Sequence, residues 1–193
     1  MSVELRPVDD ELLAGARRAV ARWGWRGATL ERIARETGLS RVTLHRRGVS
    51  KATILQGLAA AYETDYRAAL ERATRAEGSG GERLELALNA MCDVSERHLE
   101  TIVALADEAS SVFFHEAEAD PVASKGFIVE PFAGILEDGA EDGSLRPVDP
   151  DEWATVLTNL MHWTYQHLRQ SHGWSPARAR STLIAVVVSG VKS

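Results

Sequence analysis

Residues 29–48, TLERIARETGLSRVTLHRRG, constrain the fold of this chain more than any other stretch. Thr29 is a good helix N-cap, because its hydroxyl can accept from backbone N–H groups left open in a first turn. Leu30, Ile33 and Ala34 then share one helical face. Gly38 can take the left-handed conformation that ends a helix. Ser40 is a second N-cap, and Val42, Thr43 and Leu44 follow it. Ala34 is small enough to let a second helix cross close over the first. Two helices joined by a short Gly-containing turn make a helix-turn-helix. In that motif the first residues of the second helix enter the DNA major groove. Here these are Ser40, Arg41, Val42 and Thr43, followed by Arg46 and Arg47. An ordinary helical hairpin in a bundle has the same local spacing, so the rest of the chain must decide.

The charge distribution favours the DNA-binding alternative. The whole chain carries a net charge of −6, which by itself argues against a nucleic-acid partner. Residues 1–75, however, hold 14 Lys/Arg against 9 Asp/Glu, a net of +5. Residues 76–193 hold 8 against 19, a net of −11. The basic part is the part with the motif, and such asymmetry points to nucleic-acid binding.

The remaining pattern is helical throughout, with no strand alternation and no repeat. A first helix is expected from Asp9 to Trp23, stopped by Gly24, with Trp25 in the following loop and packed into a small core. Ser50 caps a long helix to about Arg75. Residues 77–81, EGSGG, are the best internal break. Another helix is expected from Arg83 to Ala106, and a short one to about Glu118. From Val122 to Glu141 the pattern is helical but interrupted by Gly126 and Pro131, so a kink or a late start is expected. Asp149, Pro150 and Glu152 make a strong start for a helix to about Ser171, with Trp153, Leu157, Leu160, Trp163, Thr164 and Leu168 along it. Ser175 and Pro176 open the last helix, which ends in the apolar run Leu183–Val188. The fold class is therefore all-α. A helix-turn-helix domain (residues 1–52) is expected to pack on a larger helical domain (residues 53–193).

Acids near the N-terminus (Glu4, Asp9, Asp10, Glu11) suggest no secretory leader. The run Leu183–Val188 is too short to span a bilayer, so no membrane partner is expected. A lone cysteine, Cys92, fits a reducing cytoplasm. Five of six histidines (His98, His115, His162, His167, His172) lie in the second half, which raises a metal-sensing regulator as an alternative. No His pair has i, i+4 spacing with an intervening Glu, and His162 and His167 fall on different faces, so no metal is expected. No nucleophile elbow, phosphate loop or dinucleotide turn supports the other alternative, a small-molecule enzyme. No cofactor is implied.

From residues 9 to 60 the chain resembles the tetracycline-repressor (TetR) family of bacterial transcription regulators. The likeness is carried by Gly24-Trp25, Thr29, Ile33-Ala34, Gly38-Leu39-Ser40, Thr43-Leu44 and Ser50-Lys51, and further on by Gly143, Leu145 and Arg146. It implies a homodimeric repressor that binds double-stranded operator DNA and is released by a small-molecule effector. By position it implies DNA contacts from Thr29, Ser40, Arg41, Val42 and Thr43, and a phosphate contact from Lys51. His45 stands where the family has a tyrosine on the DNA backbone, and Arg46 and Arg47 add phosphate-binding charge. Gly48 departs from the family, which usually has an aromatic there. Either the helix end is looser or Val49 fills the gap. The resemblance also implies an effector cavity in the second domain. Met91, Cys92, Ser95, Phe127, Trp163 and Thr164 are the candidates for its lining, and Trp153, Met161 and Phe132 share their stripes. The two long helices at the C-terminus would each leave an apolar face on a monomer, so a dimer is expected to form there.

Overall fold

The computed structural model describes residues 8–112 and 121–192, with side chains described except at 106–112 and 121–128. Among the described residues the fold is helical: α1 (Asp10–Gly27), α2 (Leu30–Glu36), α3 (Arg41–Arg46), α4 (Lys51–Thr74), α5 (Gly80–Arg97), α6 (Leu99–Val112), α7 (Pro121–Glu141), α8 (Pro150–Asn159), a π-helical turn (Leu160–Thr164), α9 (Tyr165–Gln170) and α10 (Pro176–Val191). The chain forms two compact units. One comprises residues up to Glu63 together with His98–His115, and the other Thr64–Arg97 together with Glu116–Ser193. The expected boundary after residue 52 thus falls in the first turn of α4. No described helix is long and apolar enough to cross a membrane. No described group of three His, Cys, Asp or Glu is placed to hold a metal.

The first unit is built on helix ends that the sequence sets locally. Asp9 caps α1 by accepting from Leu12 N–H at 2.9 Å. The helix is interrupted at Gly24, whose φ of +66° is left-handed, and one further turn carries Trp25 inward to 1 % exposure. Trp25 is therefore in a short helical turn rather than a loop, though buried in the core as expected. Leu12, Leu13, Ala16, Ala19 and Val20 of α1 pack with Ile33 and Ala34 of α2, Leu44 of α3, Ile54 and Leu58 of α4, and Ala104 of α6.

In the second unit α7 packs on α5 and α8, and α10 packs on α5 and α9. The α5–α7 crossing needs glycine at position 80, where a Cβ would lie 2.3 Å from the backbone of Gly139, and a Cβ on Gly139 would in turn meet the Leu145 side chain. The start of α5 is held by the loop after α7, where Asp142 accepts from Gly80 N–H at 2.6 Å and Ser144 Oγ from Gly81 N–H at 2.8 Å.

Three expectations are corrected. The helix from Arg83 is two helices, beginning at Gly80 and broken at His98. No Gly or Pro marks that break, and His98 is where the chain passes from one compact unit to the other. The short helix after it, expected to end near Glu118, is α6; it runs to Val112, and the residues beyond lie outside those described. The late start expected around Gly126 and Pro131 is absent, since α7 runs from Pro121 through Pro131 to Glu141. A single proline removes one backbone donor from a helix, at a cost of ~3 kcal/mol, and burial of Phe132, Ile135 and Leu136 just beyond it offsets that. Finally, the helix from Asp149 is interrupted by the π turn. A π turn holds more residues per turn than an α turn. Tyr165 is buried with Ala154, Leu157 and Met161, at the three- and four-residue spacing of one helical face, and Trp163 on the opposite side is 47 % exposed. Thr164 is half-buried.

Tyr165 and Arg169 meet Glu96 of α5. Glu96 Oε2 accepts from Tyr165 Oη at 3.0 Å and Arg169 Nε at 2.8 Å, and its Oε1 from Arg169 Nη2 at 2.7 Å. The guanidinium fork, and then the tyrosine hydroxyl, hold the carboxyl below its usual value of 4.5. A depressed carboxyl stabilises the fold fully above its unfolded value and ceases to do so as pH falls through the folded one. Glu96→Gln is expected to cost about 1–2 kcal/mol at pH 7. In thermal melts the gap between variant and parent should close as pH drops below 4.5, and a gap independent of pH would contradict the ionised pair.

Candidate nucleic-acid interface

The helices α2 and α3 end in the same way. Past α2, Gly38 has φ +67° and Leu39 N–H donates back to Ala34 C=O at 3.0 Å. Past α3, Gly48 has φ +70° and Val49 N–H donates to Leu44 C=O at 3.0 Å. Both are six-to-one closures around a left-handed glycine. Gly48 therefore has a backbone role, and a side chain there would meet no obstacle but would be strained by the φ itself. Val49 packs against the first-unit core. The end of α3 is closed firmly, and Val49 takes the anchoring place.

The N-caps are equally local. Thr29 Oγ1 accepts from Arg32 N–H at 3.3 Å. Ser40 Oγ accepts from Thr43 N–H at 3.0 Å and lies 2.8 Å from Thr43 Oγ1. Leu44 is fully buried under α3, which leaves the opposite side outward. Thr29, Ser40, Arg41, His45, Arg46 and Arg47 are exposed, Thr43 is half-buried, and Val42 is 67 % exposed. An apolar valine turned so far into solvent has no role in this unit's core.

The basic residues divide into two groups. Arg18 and Arg22 both lie against Glu36, and Arg35 against Glu31. Arg32 Nη1 donates to Gly27 C=O at 2.7 Å. Arg47 Nη1 pairs with Asp9 Oδ2 at 3.1 Å, joining the end of α3 to the start of α1. Lys51 Nζ donates to Trp25 C=O at 2.7 Å. By contrast, Arg41 and Arg46 have no ion-pair or hydrogen-bonding side-chain partner among the described residues, and both are exposed on α3. The Arg47–Asp9 pair is solvent-exposed, and such pairs contribute at most ~1 kcal/mol, so a phosphate can compete for that guanidinium. Nothing local in the sequence signals the Arg47 and Lys51 contacts, since their partners lie 38 and 26 residues away.

The effector candidates fall in the second unit. Met91, Cys92 and Ser95 are buried on one face of α5. Burial pushes the Cys92 thiol up to about 12, so it stays protonated and inert at neutral pH. The Phe127 side chain and His115 lie outside the described residues. Thr164 is half-buried and Trp163 faces out, with the His162 ring edge-on to it at 5.1 Å. Burial lowers the His162 pKa. Sequence reasoning missed Glu96, Tyr165 and Arg169, the polar group beside Cys92 and Ser95, because residues 73 positions apart give no local signal.

The family model "Tetracyclin repressor-like, C-terminal domain" matches residues 77–191, more than half of the 193-residue chain. No curated protein matches the chain. Among solved structures, the ketosteroid transcriptional regulator KstR2 of Mycobacterium tuberculosis is 21% identical with a TM-score of 0.74, over 95% of this chain and 94% of that one. The TetR family transcriptional regulator PfmR from Thermus thermophilus is 22% identical with a TM-score of 0.73, over 93% and 95%. A TetR-family transcriptional regulator from Rhodococcus sp. is 23% identical with a TM-score of 0.64, over 95% and 97%. These likenesses carry the fold across the described helices, and the family match carries the class. The chain belongs to the tetracycline-repressor-like (TetR) family of DNA-binding transcriptional regulators and is not an enzyme.

Proposed function

We propose that this regulator is a homodimeric repressor, bound to a roughly palindromic operator near its own gene and released by a small, largely apolar ligand. The observation that carries the DNA contact is the outward face of α3, where Val42 is 67 % exposed between the unpaired Arg41 and the caps of α3. Arg41, Val42 and Thr43 meet base edges. Thr29, Ser40, His45 and Arg46 meet the sugar-phosphate backbone, and Arg47 exchanges Asp9 for a phosphate.

The dimer is supported by the outward faces of the C-terminal helices. Val156 on α8 is 59 % exposed and Val186 on α10 is 57 % exposed. Around Val186 the exposed positions of α10 are small: Ser181, Thr182, Ala185 and Ser189. Small residues let two helices approach closely, and pairing two copies by a two-fold axis buries both valines and Trp163. Two-fold pairing also sets two copies of α3 on half-sites one DNA turn, or a multiple, apart. Trp163 thus belongs to the dimer face, and the effector cavity is lined by Met91, Cys92, Ser95 and Thr164. That composition, a thioether and a thiol with two hydroxyls, suits a small ligand with a large apolar body and few polar groups, such as the ketosteroid named for the Mycobacterium tuberculosis regulator.

Arg41→Ala is expected to cost about 1–3 kcal/mol on the operator and to relax the preference at one base position. In a mobility-shift assay with single-base operator variants, an unaltered preference would remove Arg41 from the base-reading set. Val186→Glu is expected to shift the chain from dimer to monomer in sedimentation at micromolar concentration. It should also weaken operator binding far more than half-site binding. A dimer that survives Val186→Glu places the interface elsewhere.

A further inference from the structure

Val42 is the most exposed large apolar side chain among the described residues, and the only exposed one in the first unit. The others, Leu86, Val156, Trp163 and Val186, all belong to the second unit. One exposed valine is ordinary on a protein surface. Its place on α3 makes this one informative. α3 has six residues, and its other outward positions, Arg41, His45 and Arg46, are all polar. A β-branched residue also forms helix less readily than long, straight polar side chains do. Position 42 thus carries a residue that helps neither the solvation nor the formation of its helix, and it takes no part in the core beneath Leu44.

The contacts around Val42 fix where its side chain is presented. Ser40 Oγ accepts from Thr43 N–H at 3.0 Å, and the fully buried Leu44 holds the opposite side of the helix. The Thr43 hydroxyl lies 2.8 Å from Ser40 Oγ and is engaged there. Arg41 and Val42 are therefore the exposed side chains of the first turn of α3, while Thr43 is half-buried.

Arg41 can select a partner by charge and hydrogen bonding, and Val42 can use neither. The edges of the bases in the major groove are donors and acceptors, with one apolar exception, the C5-methyl group of thymine. The same methyl stands at the same place on 5-methylcytosine. A valine brought to the floor of the groove has that group as its complement. Neighbouring Cα atoms are about 3.8 Å apart, close to the ~3.4 Å step along one DNA strand. The methyl therefore lies at, or next to, the base pair that Arg41 meets.

We infer that Val42 is a specificity-determining residue that reads a pyrimidine C5-methyl group, of thymine or 5-methylcytosine, in each half-site. This rests on the DNA-binding function proposed above and supplies base chemistry that it leaves open.

Deoxyuridine in place of thymine removes the methyl and keeps the base pair. The full-length chain is titrated, in a mobility-shift assay, onto the duplex that selection from random DNA recovers. Each thymine is replaced in turn by deoxyuridine, and each cytosine in turn by 5-methylcytosine. At a position beside the Arg41-dependent base pair, removing a thymine methyl weakens binding about fourfold per half-site, the worth of one buried methyl, or adding one to cytosine strengthens it by about as much. The first result names thymine as the source, the second 5-methylcytosine. Val42→Ser, at an exposed position, binds the methylated and unmethylated duplexes alike, and Val42→Ile keeps the parent's discrimination. A parent indifferent to every methyl, or a Val42→Ser chain that discriminates as the parent does, overturns the inference while sequence-specific binding stands. Should the parent select no duplex, the DNA-binding function fails and this inference with it.

Discussion

The closure of α2 and α3 by left-handed glycines is the constraint on which the DNA-facing unit depends. Each closure bonds the residue after glycine back to a carbonyl five residues earlier, Leu39 to Ala34 and Val49 to Leu44. The chain therefore leaves each helix in a fixed direction, and the residue after each glycine, Leu39 or Val49, is turned onto the core. With Leu44 buried beneath and Ser40 capping above, a helix of only six residues has little freedom to rotate. Such a short helix has no stability of its own in water. It persists because both ends and one face are held by tertiary contacts, and that rigidity lets its outward face present Arg41, Val42 and Thr43 in a defined register.

The positive charge of this unit is largely structural. Arg18, Arg22, Arg32, Arg35, Arg47 and Lys51 all engage carboxylates or carbonyls of the same unit. A net charge counted from sequence does not separate such charges from those left for a phosphate. Among the described residues, Arg41 and Arg46 are the arginines of α3 with no such partner, which makes them the charges left for a phosphate or base in the function proposed above. In the second unit the corresponding link is the Glu96 fork to Tyr165 and Arg169, which joins α5 to α9 beside the candidate effector residues.

What was legible in the sequence was written in short-range terms. The caps at Asp9, Thr29, Ser40, Asp149 and Ser175 each bond a backbone N–H three residues on, within reach of local pattern analysis. So were the glycine stops at Gly24 and Gly38, both left-handed. The class of fold and the motif came from these. What was not legible depends on partners far along the chain. The break at His98 interrupts an apolar repeat that runs straight through it. The continuity of α7 past Pro131 depends on burial that a local rule for proline cannot include. The π turn at Leu160–Thr164 has no composition signal. Gly48 was legible as a departure from the family but its meaning was not, because the φ of +70° is a property of the fold.

The central claim is that α3 of a two-fold dimer reads bases in the major groove. Selection of bound fragments from random duplex DNA, followed by sequencing, tests this most directly. The account predicts enrichment of an inverted repeat with half-sites about one helical turn, or a multiple of it, apart, and loss of one half-site position's preference when Arg41 is replaced by alanine. Recovery of fragments with no shared sequence, or of a single motif without two-fold symmetry, would contradict it.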